Sequence, residues 1–177
     1  DIILGDNGTV TYTPNSPNLA QVVSTDTTNA TGGDDTVAAG AGNNLVIGGV
    51  GVDTILAGSG NDLLIGDNGQ ITWTPAGVLS SVGTTDPALG AGDTIIAGDG
   101  NNVVAGGFGS DVLVTGTGAD LILGDNGVFT YATGAGGTAV LTGAQTTDTT
   151  AATGGGDVIV SGGGPNPVFA DLNGDGL

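Results

Sequence analysis

Asp35, Asn44, Asp53 and Asp62 stand nine residues apart, and so do Asp93, Asn102, Asp111 and Asp120. A third run begins at Asp157 and continues to Asn166. Each member comes just before a short apolar run, such as Thr36-Val37-Ala38, Thr54-Ile55-Leu56, Leu63-Leu64-Ile65 or Val112-Leu113-Val114. Glycines such as Gly49, Gly51, Gly58 and Gly60 sit in the turns between these runs. The chemistry open to such a lattice is cation binding. Asp oxygens are hard ligands, for which calcium is the natural partner, and Gly lets turns aim backbone carbonyls at the same ion. Carboxylates stacked with nothing between them would force protonation, whereas a divalent cation makes a clamp of them. Asp and Asn also stabilise their own β-turns, but that reading does not require a register kept along the chain.

The cation has to come from outside. All 18 acidic residues are Asp, there is no Lys, Arg or His, and the 177 residues carry a net charge of -18. Without counter-charge, a compact state of this chain repels itself. Nucleic acid is excluded as a partner, because no side chain neutralises a phosphate. Without His, Cys, Lys, Glu or Arg there is no nucleophile–base pair, and Asp residues on a lattice do not build the single cleft of a glycosidase. The chain is read as a non-enzyme. No apolar run reaches the roughly 18 residues of a membrane span. Zero Cys fits either a reducing compartment or a bacterial exterior, and calcium favours the exterior. An extracellular or cell-surface location is expected.

A longer period overlies the first. Asp1-Ile2-Ile3-Leu4-Gly5-Asp6-Asn7-Gly8 recurs in form as Asp62 to Gly69 and as Asp120 to Gly127. Alternating stretches follow: Thr9-Val10-Thr11-Tyr12, Gln70-Ile71-Thr72-Trp73 and Val128-Phe129-Thr130-Tyr131. The Asp-Asn-Gly signal predicts a hairpin between each triplet and its alternating stretch, with Asp6, Asp67 and Asp125 as turn residues. A looser segment ends in Thr25-Asp26, Thr85-Asp86 or Thr147-Asp148. The expected architecture is all-β: three tandem units, 1–61, 62–119 and 120–177, each of a few solenoid coils plus a small β-meander. Gly density and the lack of a helical period exclude helices. Ile47, Leu63, Ile65, Leu121 and Leu123 take outward positions, so both faces of the coils are expected to be covered. Tyr12, Trp73 and Tyr131 share one equivalent position and are read as packing anchors. The threonines of Thr11-x-Thr13 and Thr72-x-Thr74 are read as strand-face residues, since Ala132 breaks any ladder.

The nonapeptide resembles the RTX repeat of secreted bacterial proteins, Gly-Gly-x-Gly-x-Asp-x-(apolar)-x. The best matches are Gly49-Val50-Gly51-Val52-Asp53-Thr54-Ile55, Gly58-Ser59-Gly60-Asn61-Asp62-Leu63-Leu64 and Gly107-Phe108-Gly109-Ser110-Asp111-Val112-Leu113. The resemblance implies a parallel β-roll, two nonapeptides to a coil, with calcium between stacked turns. Coils about 4.8 Å apart would set Asp35 over Asp53, Asn44 over Asp62, Asp93 over Asp111 and Asn102 over Asp120. These eight residues and Asp157 are the candidate ligands. Asn44, Asn102 and Asn166 depart from the family's Asp, which weakens alternate sites or leaves them to carbonyls. Asp171-Leu172-Asn173-Gly174-Asp175-Gly176 resembles the Asp-x-Asn-x-Asp-Gly loop of EF-hand-like and FG-GAP/VCBS sites. That likeness implies a further metal site on Asp171, Asn173 and Asp175.

Two function classes follow from the resemblance. One is a calcium-stiffened structural segment of a filament, surface layer or giant adhesin stalk. The other is a calcium-triggered folding and secretion module of an exported enzyme or toxin. Unit length and apolar outer positions favour the first, and the nine-residue lattice argues against FG-GAP-like propeller blades. Units begin at Asp1, Asp62 and Asp120, and a fourth start would fall one residue beyond Leu177. Gly174-Asp175-Gly176-Leu177 written before Asp1-Ile2-Ile3-Leu4-Gly5 completes an RTX-like nonapeptide and brings Asp1 near the closing position of the Asp171 loop. The expectation is a fibre of copies joined head to tail, covalently or by docking, with lateral neighbours or glycans as further partners.

Overall fold

The computed structural model describes residues 1–148 and 152–169. The chain first forms β1 (Ile2–Leu4), β2 (Gly8–Tyr12), β3 (Leu19–Ser24), β4 (Thr36–Ala38), β5 (Leu45–Ile47) and β6 (Thr54–Leu56). Next come β7 (Leu63–Ile65), β8 (Gly69–Trp73), β9 (Leu79–Thr84), β10 (Thr94–Gly98), β11 (Val103–Gly107) and β12 (Val112–Thr115). The remaining strands are β13 (Leu121–Asp125), β14 (Gly127–Thr133), β15 (Ala139–Thr146), β16 (Val158–Val160) and β17 (Val168–Phe169). Among the described residues the only helical element is the 3-10 turn Ala135–Gly137, and no helix is long and apolar enough to cross a membrane.

The short strands form two parallel sheets, in the orders β1-β5-β7-β11-β13-β17 and β16-β12-β10-β6-β4. Each triplet is too short to stand alone, and glycine turns return the chain to the opposite sheet. Gly49 and Gly51 take φ of 116° and 129° there, conformations that a side chain would resist. The middle residue of each triplet points inward. Val37, Ile55, Ile95 and Leu113 from one sheet meet Val46, Leu64, Val104 and Ile122 from the other in one narrow core. This is the parallel β-roll that the nonapeptide resemblance implies.

The roll does not stop where a meander is inserted. Across residues 66–93, β6 pairs with β10 and β7 pairs with β11. β12 pairs with β16, and β13 with β17, across the next insertion.

The meanders join edge to edge into one antiparallel sheet, ordered β15-β14-β9-β8-β3-β2. Val10, Val22, Ile71, Val82, Phe129 and Ala144 stand in one register row. Val22, Ile71, Val82 and Phe129 of this row are buried against the outward side chains Leu45, Ile47, Ile65, Val103, Ala105 and Leu123 of the first parallel sheet. Leu63 and Leu121, with Trp73 and Tyr131, pack at the margin of this second core. Tyr12, on the edge strand β2, is 56% exposed and anchors nothing.

Two expectations need correction. The Asp-Asn-Gly segments are not hairpins, because β7 and β13 already have parallel neighbours on both sides, and β1, β7 and β13 pair only within the roll. The chain instead turns a corner from the roll into the overlying sheet. Nor are both faces of the roll covered. Every meander leaves from a strand of the first parallel sheet, so all three lie over that face. Leu56, Ile96, Val112, Val158 and Val160 on the second face remain exposed, Val160 at 53%.

Phe129 fills the centre of the interface between sheets and meets Phe169 edge to face, with centroids 6.2 Å apart. Phe129→Ala should cost about 3–5 kcal/mol, read as a shift in the denaturant midpoint of the calcium-loaded protein, whereas Tyr12→Ala should leave the midpoint almost unchanged. Equal shifts would contradict the one-sided packing.

Candidate calcium ladders along the roll

The lattice residues fall into two columns, one on each edge of the roll. The first holds Asp35, Asp53, Asp93, Asp111 and Asp157, each just before a strand of the second sheet. Successive backbone N–H groups donate to the next carboxylate: Asp35 to Asp53 Oδ1 at 2.8 Å, Asp53 to Asp93 at 2.8 Å, Asp93 to Asp111 at 2.7 Å and Asp111 to Asp157 at 2.8 Å. The second column runs Asn44, Asp62, Asn102, Asp120, Asn166, with N–H to Oδ1 distances of 2.7, 3.0, 2.9 and 3.0 Å. The four stacked pairs expected from the repeat are all present. The links from Asp53 to Asp93 and from Asp62 to Asn102 span 40 residues each, and those from Asp111 to Asp157 and from Asp120 to Asn166 span 46. Nine-residue spacing alone does not reveal these.

Oδ1 is thus satisfied down each column. Oδ2 is another matter. In Asp53, Asp62, Asp93, Asp111 and Asp120 this atom is buried without a hydrogen-bond partner. A buried carboxylate oxygen left so is strongly destabilising unless a proton or cation reaches it.

The glycines mark where a cation fits. A Cβ added to Gly48 would collide with both Asp53 Oδ2 and the Gly66 carbonyl. At Gly66 it would meet Asp93 Oδ2 and the Gly106 carbonyl, and at Gly106 it would meet Asp111 Oδ2 and the Gly124 carbonyl. A carboxylate oxygen and a carbonyl oxygen therefore approach the same small space, and neither brings a hydrogen. Among the described residues no group of three or more acidic side chains gathers as a metal cluster. The donor set is instead carboxylate plus carbonyl, the hard oxygen environment calcium takes. These residues fit the ion, which would supply the positive charge that the chain lacks.

Electrostatics agree. Burial, with the charges of neighbouring ladder residues, pushes Asp53 up to about 6, Asp93 to about 8 and Asp111 to about 9.

Asp6, Asp67 and Asp125, expected as hairpin-turn residues, instead bind backbone groups far along the chain. Asp6 accepts the Gly33 N–H at 3.1 Å and the Val50 N–H at 2.7 Å. Asp67 accepts from Ala91 at 3.1 Å and from Phe108, and Asp125 accepts from Gly155 at 2.9 Å. Each reaches out of its corner to hold two glycine turns of adjacent coils or the turn that follows its meander. Burial and the charges of Asp93 and Asp111 push Asp67 up to about 10. Asp26 and Asp148 close the first and third meanders, each accepting both the backbone N–H and the side-chain amide of Asn7 or Asn126. The recurrence of Asp-Asn-Gly and Thr-Asp in every unit was the available signal.

Other expected ligands are placed differently. Asn44 and Asn102 turn nitrogen, not oxygen, toward the glycine carbonyls before them. Asp1 heads the second column at an exposed position, its amino group 3.2 Å from Asn44 Oδ1. Asp171, Asn173 and Asp175 lie outside the described residues.

Two predictions follow from this geometry. Protonation stabilises the raised carboxylates in the cation-free fold, so their contribution is fully present below about pH 4, the ordinary carboxylate value, and is lost as pH rises through about 6 to 9. Calcium affinity should rise over the same window, because the ion competes with those protons. Thermal midpoints of calcium-depleted protein should fall from pH 4 to 9, and those of calcium-loaded protein should not; parallel profiles would refute the assignment. Asp53→Ala should raise the calcium midpoint for folding, while Asp67→Ala should lower thermal stability at saturating calcium by about 1–3 kcal/mol through two unsatisfied N–H groups. Circular dichroism with calcium titration separates the two effects.

The family model of the RTX calcium-binding nonapeptide repeat, in four copies, matches residues 29–64, 89–122 and 106–128. Comparisons with curated proteins and with solved structures give no significant match. The matched stretches contain both columns from Asp35 to Asp120, together with Gly48 and Gly106, which face Asp53 and Asp111. RTX repeats bind calcium and are typical of secreted bacterial proteins. Residues 29–64 and 89–128 match the RTX calcium-binding nonapeptide repeat, and their strands are wound into a parallel β-roll.

Proposed function

We propose that the chain is a calcium-stabilised structural segment of an extracellular filament, surface layer or giant adhesin stalk, and that it catalyses nothing. The observation that carries this reading is continuity. Both ladders and both parallel sheets continue in register across the insertions at 66–93 and between Asp111 and Asp157, although meanders interrupt the sequence between coils. Among the described residues the sheets end in open strands, β1, β4 and β2 at one end and β17, β16 and β15 at the other.

Calcium suits such a role outside the cell. A chain of charge -18 is less stable while calcium is scarce and is stabilised where it is abundant, because the free energy of binding the ion adds to folding free energy. The same coupling supports the second reading, a calcium-triggered folding module of an exported enzyme or toxin. The continuous antiparallel sheet favours the structural reading, since it adds width and stiffness along the whole roll.

Two copies fused directly, Leu177 to Asp1, provide the test. Electron microscopy in calcium should show one straight rod of about twice the single-copy length, with a higher thermal midpoint than one copy. Two separate particles on a flexible joint, with an unchanged midpoint, would rule the filament reading out.

A further inference from the structure

The two edges of the roll are built differently. On the first, each ladder carboxylate faces a glycine: Asp35 faces Gly5, Asp53 Gly48, Asp93 Gly66 and Asp111 Gly106. On the second, the residue five positions before each ladder member carries a side chain, namely Ala39, Ala57, Ala97 and Thr115. Ala57 and Ala97 are wholly buried in the core of the roll. The second column also alternates Asn with Asp, whereas the first contains only Asp.

The amides show what the alternation does. Asn44 Nδ2 lies 3.1 Å from the Gly40 carbonyl, 2.8 Å from Gly42, 3.4 Å from Ala57 and 3.0 Å from Asp62 Oδ1. Asn102 Nδ2 repeats the pattern at 3.2 Å from Gly98, 3.4 Å from Gly100 and 3.0 Å from Asp120 Oδ1. One nitrogen with two hydrogens thus serves three or four oxygens, an arrangement more typical of a cation than of an amide. For Asn102 the orientation is fixed from the other side, because its Oδ1 accepts the Asp62 N–H at 3.0 Å. At Asp62 and Asp120 the side chain has no nitrogen to offer, and their Oδ2 atoms are buried without a donor.

We propose that calcium occupies successive coils along the first edge, whereas along the second edge the side-chain amides of Asn44 and Asn102 take the place of the ion, so that cation and amide alternate. Each amide is neutral and removes one carboxylate from the column, so its coil closes without an external charge. The Asn residues are therefore substitutes for the metal and not weak ligands of it. This inference does not depend on the filament reading, since a compact secreted protein with this roll would bind the same number of ions.

Counting bound ions tests it. The full chain and its variants are saturated with calcium, and stoichiometry is read by native mass spectrometry. Asn44→Asp and Asn102→Asp should each add one ion, and the double variant two. The gap in thermal midpoint between calcium-loaded and calcium-depleted protein should widen with each. Asn44→Ala should keep the ion count of the unsubstituted chain and melt at a lower temperature. Folded Asp variants with an unchanged count would overturn the proposal, and so would loss of an ion in Asn44→Ala, which would make Asn44 a ligand. If the Asp variants do not fold, the Asn44→Ala count decides alone.

Discussion

Eighteen carboxylates and no basic side chain have to be brought within one compact chain, and the remainder of the structure follows from where that charge is put. Spread over a surface, it would simply repel. The fold instead draws Asp53, Asp62, Asp93, Asp111 and Asp120 into the interior, in columns where every Oδ1 takes a backbone N–H from the neighbouring coil. That arrangement removes half of the hydrogen-bonding problem and concentrates the other half. The Oδ2 atoms of Asp53, Asp93 and Asp111 are left facing carbonyls in spaces that glycine keeps open, and only a hard cation or a proton makes such a space stable. Calcium held in these spaces would be part of the core of the protein and not a decoration on it.

The apolar core is correspondingly thin. One inward side chain per triplet makes a narrow strip between two sheets, too little for a roll of three-residue strands to stand without its edges tied. The second core, between the first sheet and the antiparallel layer, widens this base. Its position follows from the sites of insertion, all at the ends of strands in the same sheet. One face of the roll thereby gains a partner layer, and the other keeps a row of exposed aliphatic side chains bearing no charge.

Asp67 shows how burial redistributes roles. As one member of an Asp-Asn-Gly segment it has the local signature of a turn residue, yet the corner it occupies points its carboxylate into the glycine turns of two coils. The strong upward shift of its titration comes from burial and from the ladder charges beside it. The segment that looks like a hairpin is a clamp between two turns of the roll.

Much was legible in the residues alone. The nine-residue lattice determined the hard-oxygen chemistry, and its resemblance to the RTX repeat implied two nonapeptides to a coil and so the stacking of Asp35 on Asp53 and Asn44 on Asp62. Missing basic residues determined that the counter-charge is external. Tertiary structure decided what no period encodes. Insertions of unequal length separate Asp53 from Asp93 by 40 residues and Asp111 from Asp157 by 46, so continuity of the ladders depended on strand pairing across the gaps. The common exit sheet of the three meanders decided which face is covered. The direction of each side chain decided the rest: Asn44 differs from Asp in the sequence by a single group, but only its placement among four oxygens sets nitrogen where an ion would be.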